Sequence, residues 1–219
     1  MTRSAAFPRP ETSEPVLGRR GPYAKSTRTR KRILEAAFEV AGEVGLHRVS
    51  VAAIAERASV AVGNLHYHFG SREDLLRELM VSVQIELLGV VENAIAQVPG
   101  FFASEEASMR AYLAFVHRNP AYVRLAEESR LHQPALYRDG IATWLRLIRE
   151  GLEEAGRAGV IRVMRPDEIA SIAHFILGAR YFLDQLIEGV DGMPYPGDES
   201  VIASYMAFVR NGLLNEETT

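Results

Sequence analysis

The chain has 219 residues, 47% hydrophobic and 24% charged, which is material for one or two packed domains and not for a disordered or fibrous chain. It has no cysteine, which excludes disulfides, thiolate metal sites and a cysteine nucleophile. No apolar run reaches the roughly 20 residues that span a bilayer. The opening Met-Thr-Arg-Ser-Ala-Ala-Phe-Pro-Arg-Pro lacks the apolar centre of a signal peptide. The expectation is a soluble cytoplasmic protein with no membrane partner.

The net charge of −3 conceals two opposite parts. Residues 1–76 carry 12 Lys+Arg against 8 Asp+Glu, whereas residues 77–219 carry 13 against 20. Between positions 15 and 34 stand Arg19, Arg20, Lys25, Arg28, Arg30, Lys31 and Arg32, with no acidic residue. A basic end on an acidic body suits a polyanion, and equally a solvated tail.

Residues 1–24, rich in Pro, Gly, Ser and Arg, read as a disordered basic arm. From 27 to 44, Ile33, Leu34, Ala37, Phe38, Ala41 and Val44 recur at helical spacing and Gly45 stops the run. Ser50 is the cap of a second helix over 51–58, with Ile54, Ala55 and Ala58 facing inward. Ser59-Val60 make a turn, and 61–67 form a third, short helix anchored by Val60, Leu65 and Phe69.

Gly70 breaks the chain again. Ser71-Arg72-Glu73-Asp74 then starts a fourth helix in the manner of a capping box, with Asp in place of Glu. That helix runs to about 98, with Leu75, Leu76, Leu79, Met80, Val83, Leu87, Val91 and Ile95 on its inner stripe. Five more helices are expected over 104–118, 120–131, 135–158, 166–188 and 199–214. Glu105 and Glu106 would favour the first dipole, and Asn119-Pro120 would open the second. The segment 189–198 has too much Gly and Pro for regular structure. The expected fold is all-α: an N-terminal three-helix helix-turn-helix unit, a long fourth helix, and a larger helical body.

A helix-turn-helix reads DNA by placing the N-terminal part of its second helix in the major groove. The third helix offers Val62, Gly63, Asn64, His66, Tyr67 and His68. Val62 and Gly63 permit close approach, Asn64 suits an adenine edge, and His66 and Tyr67 reach a phosphate or a base. Ser50 and Val51 bring a helix N-terminus to a phosphate, and Arg28 and Arg72 are placed for the backbone. Packing the small unit is the competing role; it suits Phe69 best and stays open for His68. His66 and His68 are set aside as a metal pair, because residues two apart face different sides of a helix and no third ligand is near.

Residues 27–76 resemble the DNA-binding domain of TetR-family transcriptional repressors. The resemblance is carried by Thr29-Arg-Lys-Arg-Ile-Leu-Glu-Ala-Ala-Phe38, Ile54-Ala-Glu-Arg-Ala58 and Gly63-Asn-Leu-His-Tyr-His-Phe-Gly-Ser-Arg-Glu-Asp-Leu-Leu76. The chain departs from the family at Ala61-Val62, where Ser-Lys or Ser-Pro is common, and at His66, where Tyr is usual. Fewer direct polar contacts follow, and the basic run Arg28–Arg32 would supply phosphate affinity with a strong salt dependence.

The resemblance implies a helix-turn-helix domain over 25–70 and a body over 71–219 of five to six helices for ligand binding and dimerisation. It implies a homodimer on a double-stranded, palindromic DNA operator, with the last two long helices at its interface. Ile169, Ile172, Ala173, Ile176, Leu177, Phe208, Val209 and Leu213 suit that interface or, equally, an intramolecular core. It also implies a small hydrophobic or amphipathic effector that releases the repressor. Candidate cavity residues are Tyr112, Phe115, Tyr122, His132, Trp144, His174, Phe175, Arg180 and Tyr181, with His117, Tyr137 and Phe182 beside them. Arg146, Arg149 and Arg180 would suit an acid group, and Glu127 and Glu128 a cation. No cofactor or metal is expected. An activator, a ligand-independent DNA binder and an enzyme are the alternatives. Against an enzyme, the chain has no G-x-S-x-G, phosphate loop or H-E-x-x-H.

Overall fold

The computed structural model describes residues 22–190 and 192–214. Among them it contains ten α-helices, one short 3-10 turn and no strand. The helices are α1 (Pro22–Val44), α2 (Val51–Arg57), α3 (Val62–Phe69), α4 (Arg72–Ile95), α5 (Phe101–Arg118), α6 (Tyr122–His132), α7 (Pro134–Arg157), α8 (Pro166–Tyr181), α9 (Leu183–Glu188) and α10 (Asp198–Leu213). No described helix is long and apolar enough to cross a membrane. The expected arm lies outside the described residues, except that its last three positions already belong to α1.

The N-terminal unit is organised by local backbone chemistry. α1 buries Ile33, Ala36, Ala37, Val40 and Ala41, a stripe at helical spacing. It ends where the Gly45 N–H donates to the Ala41 carbonyl, with Gly45 at φ 82°. The Ser50 hydroxyl caps α2 by accepting the Ala53 N–H at 3.1 Å.

Ser59, at φ 52°, is the one non-glycine residue in the left-handed region among the described residues. Its N–H donates to Glu56 at 3.0 Å and the Val60 N–H to Ala55 at 2.9 Å, which closes α2 in a Schellman motif. Arg32 of α1 donates to the Ala58 carbonyl and so covers the same helix end. A left-handed side-chain-bearing residue costs about 1–2 kcal/mol, and the extra unfolded-state freedom of glycine takes back part of that. Ser59→Gly is therefore expected to raise stability by about 0.5–1 kcal/mol in urea unfolding. A loss of stability would mean the serine side chain has a role that its exposure hides.

Gly70, at φ 76°, turns the chain out of α3. The Ser71 hydroxyl then accepts the Asp74 N–H at 3.0 Å and donates to the Asp74 carboxylate at 2.6 Å. These bonds, with Arg77 beside Asp74, hold that carboxyl below its ordinary range. From this cap α4 runs 24 residues and buries Leu75, Leu76, Leu79, Met80, Val83, Leu87 and Val91. It packs on α1 and α3 at one end and on α5 and α7 at the other.

In the body, two helix starts differ from the sequence expectation, and one expected helix is broken in two. α5 begins at Phe101, because Gly100 at φ 86° turns the chain there and Phe101 and Phe102 pack edge to face. Glu105 is thus beyond the first turn. Asn119 does not cap α6; its side-chain amide donates back to the Phe115 carbonyl and ends α5, so α6 starts at Tyr122. The expected helix 166–188 is two helices, broken at Phe182 (φ −103°, ψ 7°). The body core is formed where α5 meets α4 and α10, and α7 meets α8 and α6. Of the residues suited to an interface, Ile169, Ala173, Ile176, Val209 and Leu213 are buried inside the chain, and only Phe208 is exposed.

Candidate nucleic-acid interface and ligand cavity

α3 has two faces. Leu65 and Phe69, four residues apart, are buried against the small unit. Arg30 holds α3 in place: it donates to the His68 carbonyl at 2.7 Å, lies 4.6 Å above the Phe69 ring and pairs with Glu78 of α4. On the other face Val62, Gly63, Asn64, His66 and Tyr67 are exposed, Tyr67 by 82%. Space is open around Gly63, so the backbone can approach a flat partner closely. His66 donates through Nδ1 to the Gly70 carbonyl at 3.0 Å. His68 is half-buried, with Tyr67 and Phe69 on either side of its ring.

The remaining candidates divide. Arg28 is exposed on α1, half a turn from Arg30. Ser50 and Val51 stand at the start of α2, with the Ser50 hydroxyl engaged in its cap. Arg72 directs its guanidinium inward and donates to the carbonyls of Val49, Leu46 and His47 at 2.7–3.1 Å. It fastens the loop between α1 and α2 to the start of α4. Among the described residues no group of three His, Cys, Asp or Glu side chains is placed to hold a metal.

The body contains a cavity of about 800 Å³, counting its solvent-open mouth. Tyr112, Tyr122, Trp144, Arg180 and Tyr181 line it. So do Tyr137 and several residues outside the expected set, among them Met80 and Gln84 of α4, and Ile141 and Leu177. Phe115 is fully buried behind the wall, with its ring edge-on to Tyr122 at 5.3 Å. His132, His174 and Phe175 face away. His132 stacks on His47 at 6.0 Å, His174 is bonded to the Ala170 carbonyl, and Phe175 is 59% exposed. Arg146 and Arg149 are exposed on α7, outside the lining. Gly140 of α7 is buried against the Gln84 amide, which an added Cβ would displace.

Arg180 is 5% exposed. It pairs through Nη2 with Glu105 of α5, and the Tyr205 hydroxyl of α10 donates to the same carboxylate oxygen. Burial pushes the phenols of Tyr112, Tyr122, Tyr181 and Tyr205 upward, Tyr122 to about 12, because a buried phenolate would lose its water.

Two lining helices also touch the helix-turn-helix unit. α4 does so through its first turns. α6 lines the cavity with Tyr122, Val123, Ala126 and Ser129. On its other side Glu128 accepts the Leu46 N–H at 2.6 Å and lies 3.9 Å from His47, while Arg124 donates to the Ala41 and Gly42 carbonyls at the end of α1. Glu128 is therefore a junction residue and not a cavity carboxylate.

An exposed recognition helix on a capped helix-turn-helix, carried by a helical body with its own cavity, defines a helix-turn-helix regulator. Residues 33–79 match the family model described as bacterial regulatory proteins, tetR family. Together with its regulator relatives, that match supports a TetR-family transcriptional regulator. It is 29% identical to the HTH-type transcriptional regulator BetI of Klebsiella pneumoniae over 125 residues, covering 50% of this chain and 58% of that protein. BetI of Escherichia coli matches with the same identity and coverage. The chain thus spans little more than half the length of the curated relatives it matches. Among solved structures, the fatty acid degradation regulator FadR from Bacillus halodurans superposes with a TM-score of 0.71 at 15% identity, over 88% of this chain and 96% of that one. The ketosteroid transcriptional regulator KstR2 of Mycobacterium tuberculosis gives 0.60 at 21% identity, over 85% and 95%. These likenesses establish the fold.

Proposed function

We propose that this protein is a cytoplasmic, DNA-binding repressor that sits as a homodimer on a palindromic operator and is released by a small hydrophobic or amphipathic effector. The role is regulatory rather than catalytic. The observation that carries it is the outward face of α3, Val62 to Tyr67, which is exposed on a helix otherwise pinned by Leu65, Phe69 and Arg30. Such a face matches a major groove, with Arg28, Ser50 and Val51 toward phosphates and Arg72 supporting the loop beneath them.

The division into a DNA-reading part over 25–70 and an effector and dimer part over 71–219 follows from the same layout. α4 and α6 belong to the cavity wall and also hold the small unit. A ligand that favours one arrangement of these helices would move the two α3 helices of a dimer out of register with successive grooves.

The dimer reading rests on Phe175 of α8, Phe182 at the break after α8 and Phe208 of α10, which are 59%, 63% and 60% exposed. Phe182 follows directly on the end of α8, which carries Phe175, and α8 and α10 approach each other at Arg180 and Tyr205. Large exposed apolar side chains in one region mark an interface. Phe175→Glu with Phe208→Glu is expected to halve the mass measured by light scattering and to abolish operator binding; an unchanged mass would place the interface elsewhere.

The function is tested by selecting genomic fragments with the purified protein and footprinting the winners. The expected result is one protected palindrome with half-sites about 34–36 Å apart. Binding with no preference over random DNA would reject an operator-specific repressor.

A further inference from the structure

We propose that His66 reads a base edge as a hydrogen-bond acceptor, so that it selects an amino-bearing base, adenine or cytosine, over guanine or thymine on the contacted strand of the major groove. The inference rests on the DNA-reading role of α3 and adds which edge this side chain takes.

The tautomer of His66 is fixed inside the protein. The Gly70 carbonyl lies 3.0 Å from Nδ1 of His66. A carbonyl oxygen only accepts, so Nδ1 carries the ring proton. A neutral imidazole has one N–H, and Nε2 is thereby left as a bare acceptor. His66 is exposed, and its Nε2 has no partner among the described residues.

The turn at Gly70 holds that bond. Gly70 sits at φ 76° and ψ −76°, and the Ser71 N–H donates across it to the Phe69 carbonyl at 3.0 Å. This is the rare γ-turn of positive φ. The Gly70 N–H donates to the His66 carbonyl at 3.0 Å, so the two residues are joined through backbone and side chain together. The imidazole is therefore oriented before DNA arrives, which lowers the ordering cost of binding.

Other contacts do not suit this tautomer. A phosphate oxygen needs a donor, which Nε2 of the neutral ring lacks. Guanine N7 and O6 and thymine O4 would set acceptor against acceptor, whereas adenine N6 and cytosine N4 carry donors. Asn64, two positions earlier, offers a donor and an acceptor and suits adenine alone. A preference shared by adenine and cytosine thus separates His66 from Asn64.

The test selects a randomised duplex library with the full-length protein at pH 8 and one fixed salt concentration. Each half-site of the winning motif is expected to hold one position where one strand carries adenine or cytosine about tenfold more often than guanine or thymine. His66→Phe keeps a ring and removes the acceptor, and it is expected to flatten that position while the rest of the motif keeps its preferences. On the winning duplex, an analogue lacking the exocyclic amino group (purine for adenine, 2-pyrimidinone for cytosine) is expected to weaken binding of the parent about tenfold and of His66→Phe not at all. If the variant does not fold, the analogue on the parent still decides. Nitrogen NMR of the free protein should show the His66 proton on Nδ1 and none on Nε2. A proton on Nε2, a motif unaltered in His66→Phe, or weaker binding of that variant with the same base preferences, which marks a phosphate contact, each overturns the proposal and leaves the operator reading standing. No enriched motif removes the operator reading and this proposal with it.

Discussion

Arg180→Met is expected to destabilise the folded protein by about 3–5 kcal/mol, because it leaves the Glu105 carboxylate buried without its cation. Arg180 is almost fully enclosed and the Glu105 side chain is only 12% exposed, so water cannot substitute for the guanidinium. The Tyr205 hydroxyl still donates to Glu105, but one neutral donor does not offset a buried charge. Adding Glu105→Gln is expected to recover most of the loss, since removing both charges eliminates the desolvation term together with the attraction. Urea unfolding of the single and double variants measures both steps. A single variant as stable as the parent would show that this cluster does not tie α5, α8 and α10 together as the geometry requires.

Asn64→Ala and Tyr67→Ala are each expected to weaken operator binding by about 1–3 kcal/mol with little change in stability, within about 0.5 kcal/mol. Both side chains project from the exposed face of α3, where they have nothing of the protein's own to pack against on the outward side. Leu65→Ala provides the contrast. Leu65 is 2% exposed, so its truncation is expected to cost about 2–5 kcal/mol of stability and to reduce DNA binding only by unfolding the unit. Anisotropy titrations with the selected operator at fixed salt, paired with urea unfolding, separate the two effects. The identity of the outward face would be wrong if Tyr67→Ala left affinity unchanged. The exposed cations of α1, Arg28 and Lys31 among them, should also give a steep fall of log K with log salt.

The N-terminal unit was legible in the sequence because most of its boundaries are written in a few adjacent residues, although α1 starts at Pro22 and not near 27. Gly45 stops α1, Ser50 and Ser71 cap α2 and α4, and Gly70 lets the chain turn out of α3. These devices act through backbone groups three or four positions away, so no distant residue is needed to recognise them. Leu65 and Phe69 follow from the same helical period. The body was legible as a set of helices, but its boundaries were less so. Asn119 has the residue type of an N-cap, yet it closes the helix before it. The break at Phe182 carries no proline or glycine to announce it.

The cavity shows the limit most clearly. Phe175, Tyr181 and Phe182 are all aromatic and close in sequence, but only Tyr181 lines the cavity while the two phenylalanines face outward. Arg72 has the position of a backbone-contacting arginine, and only the fold of the α1–α2 loop shows its donors already engaged. Arg180 and Glu105 stand 75 residues apart, and nothing local marks them as partners.

The sequence alone determined the helix-turn-helix, its caps and the residues offered by α3, because capping and helical period are short-range consequences of residue type. Only the tertiary structure decided what the body encloses. Whether an aromatic ring walls a cavity or faces solvent, and whether an arginine keeps a free charge or spends it on a buried carboxylate, depends on which helices pack against it, and that packing joins residues the chain itself holds far apart.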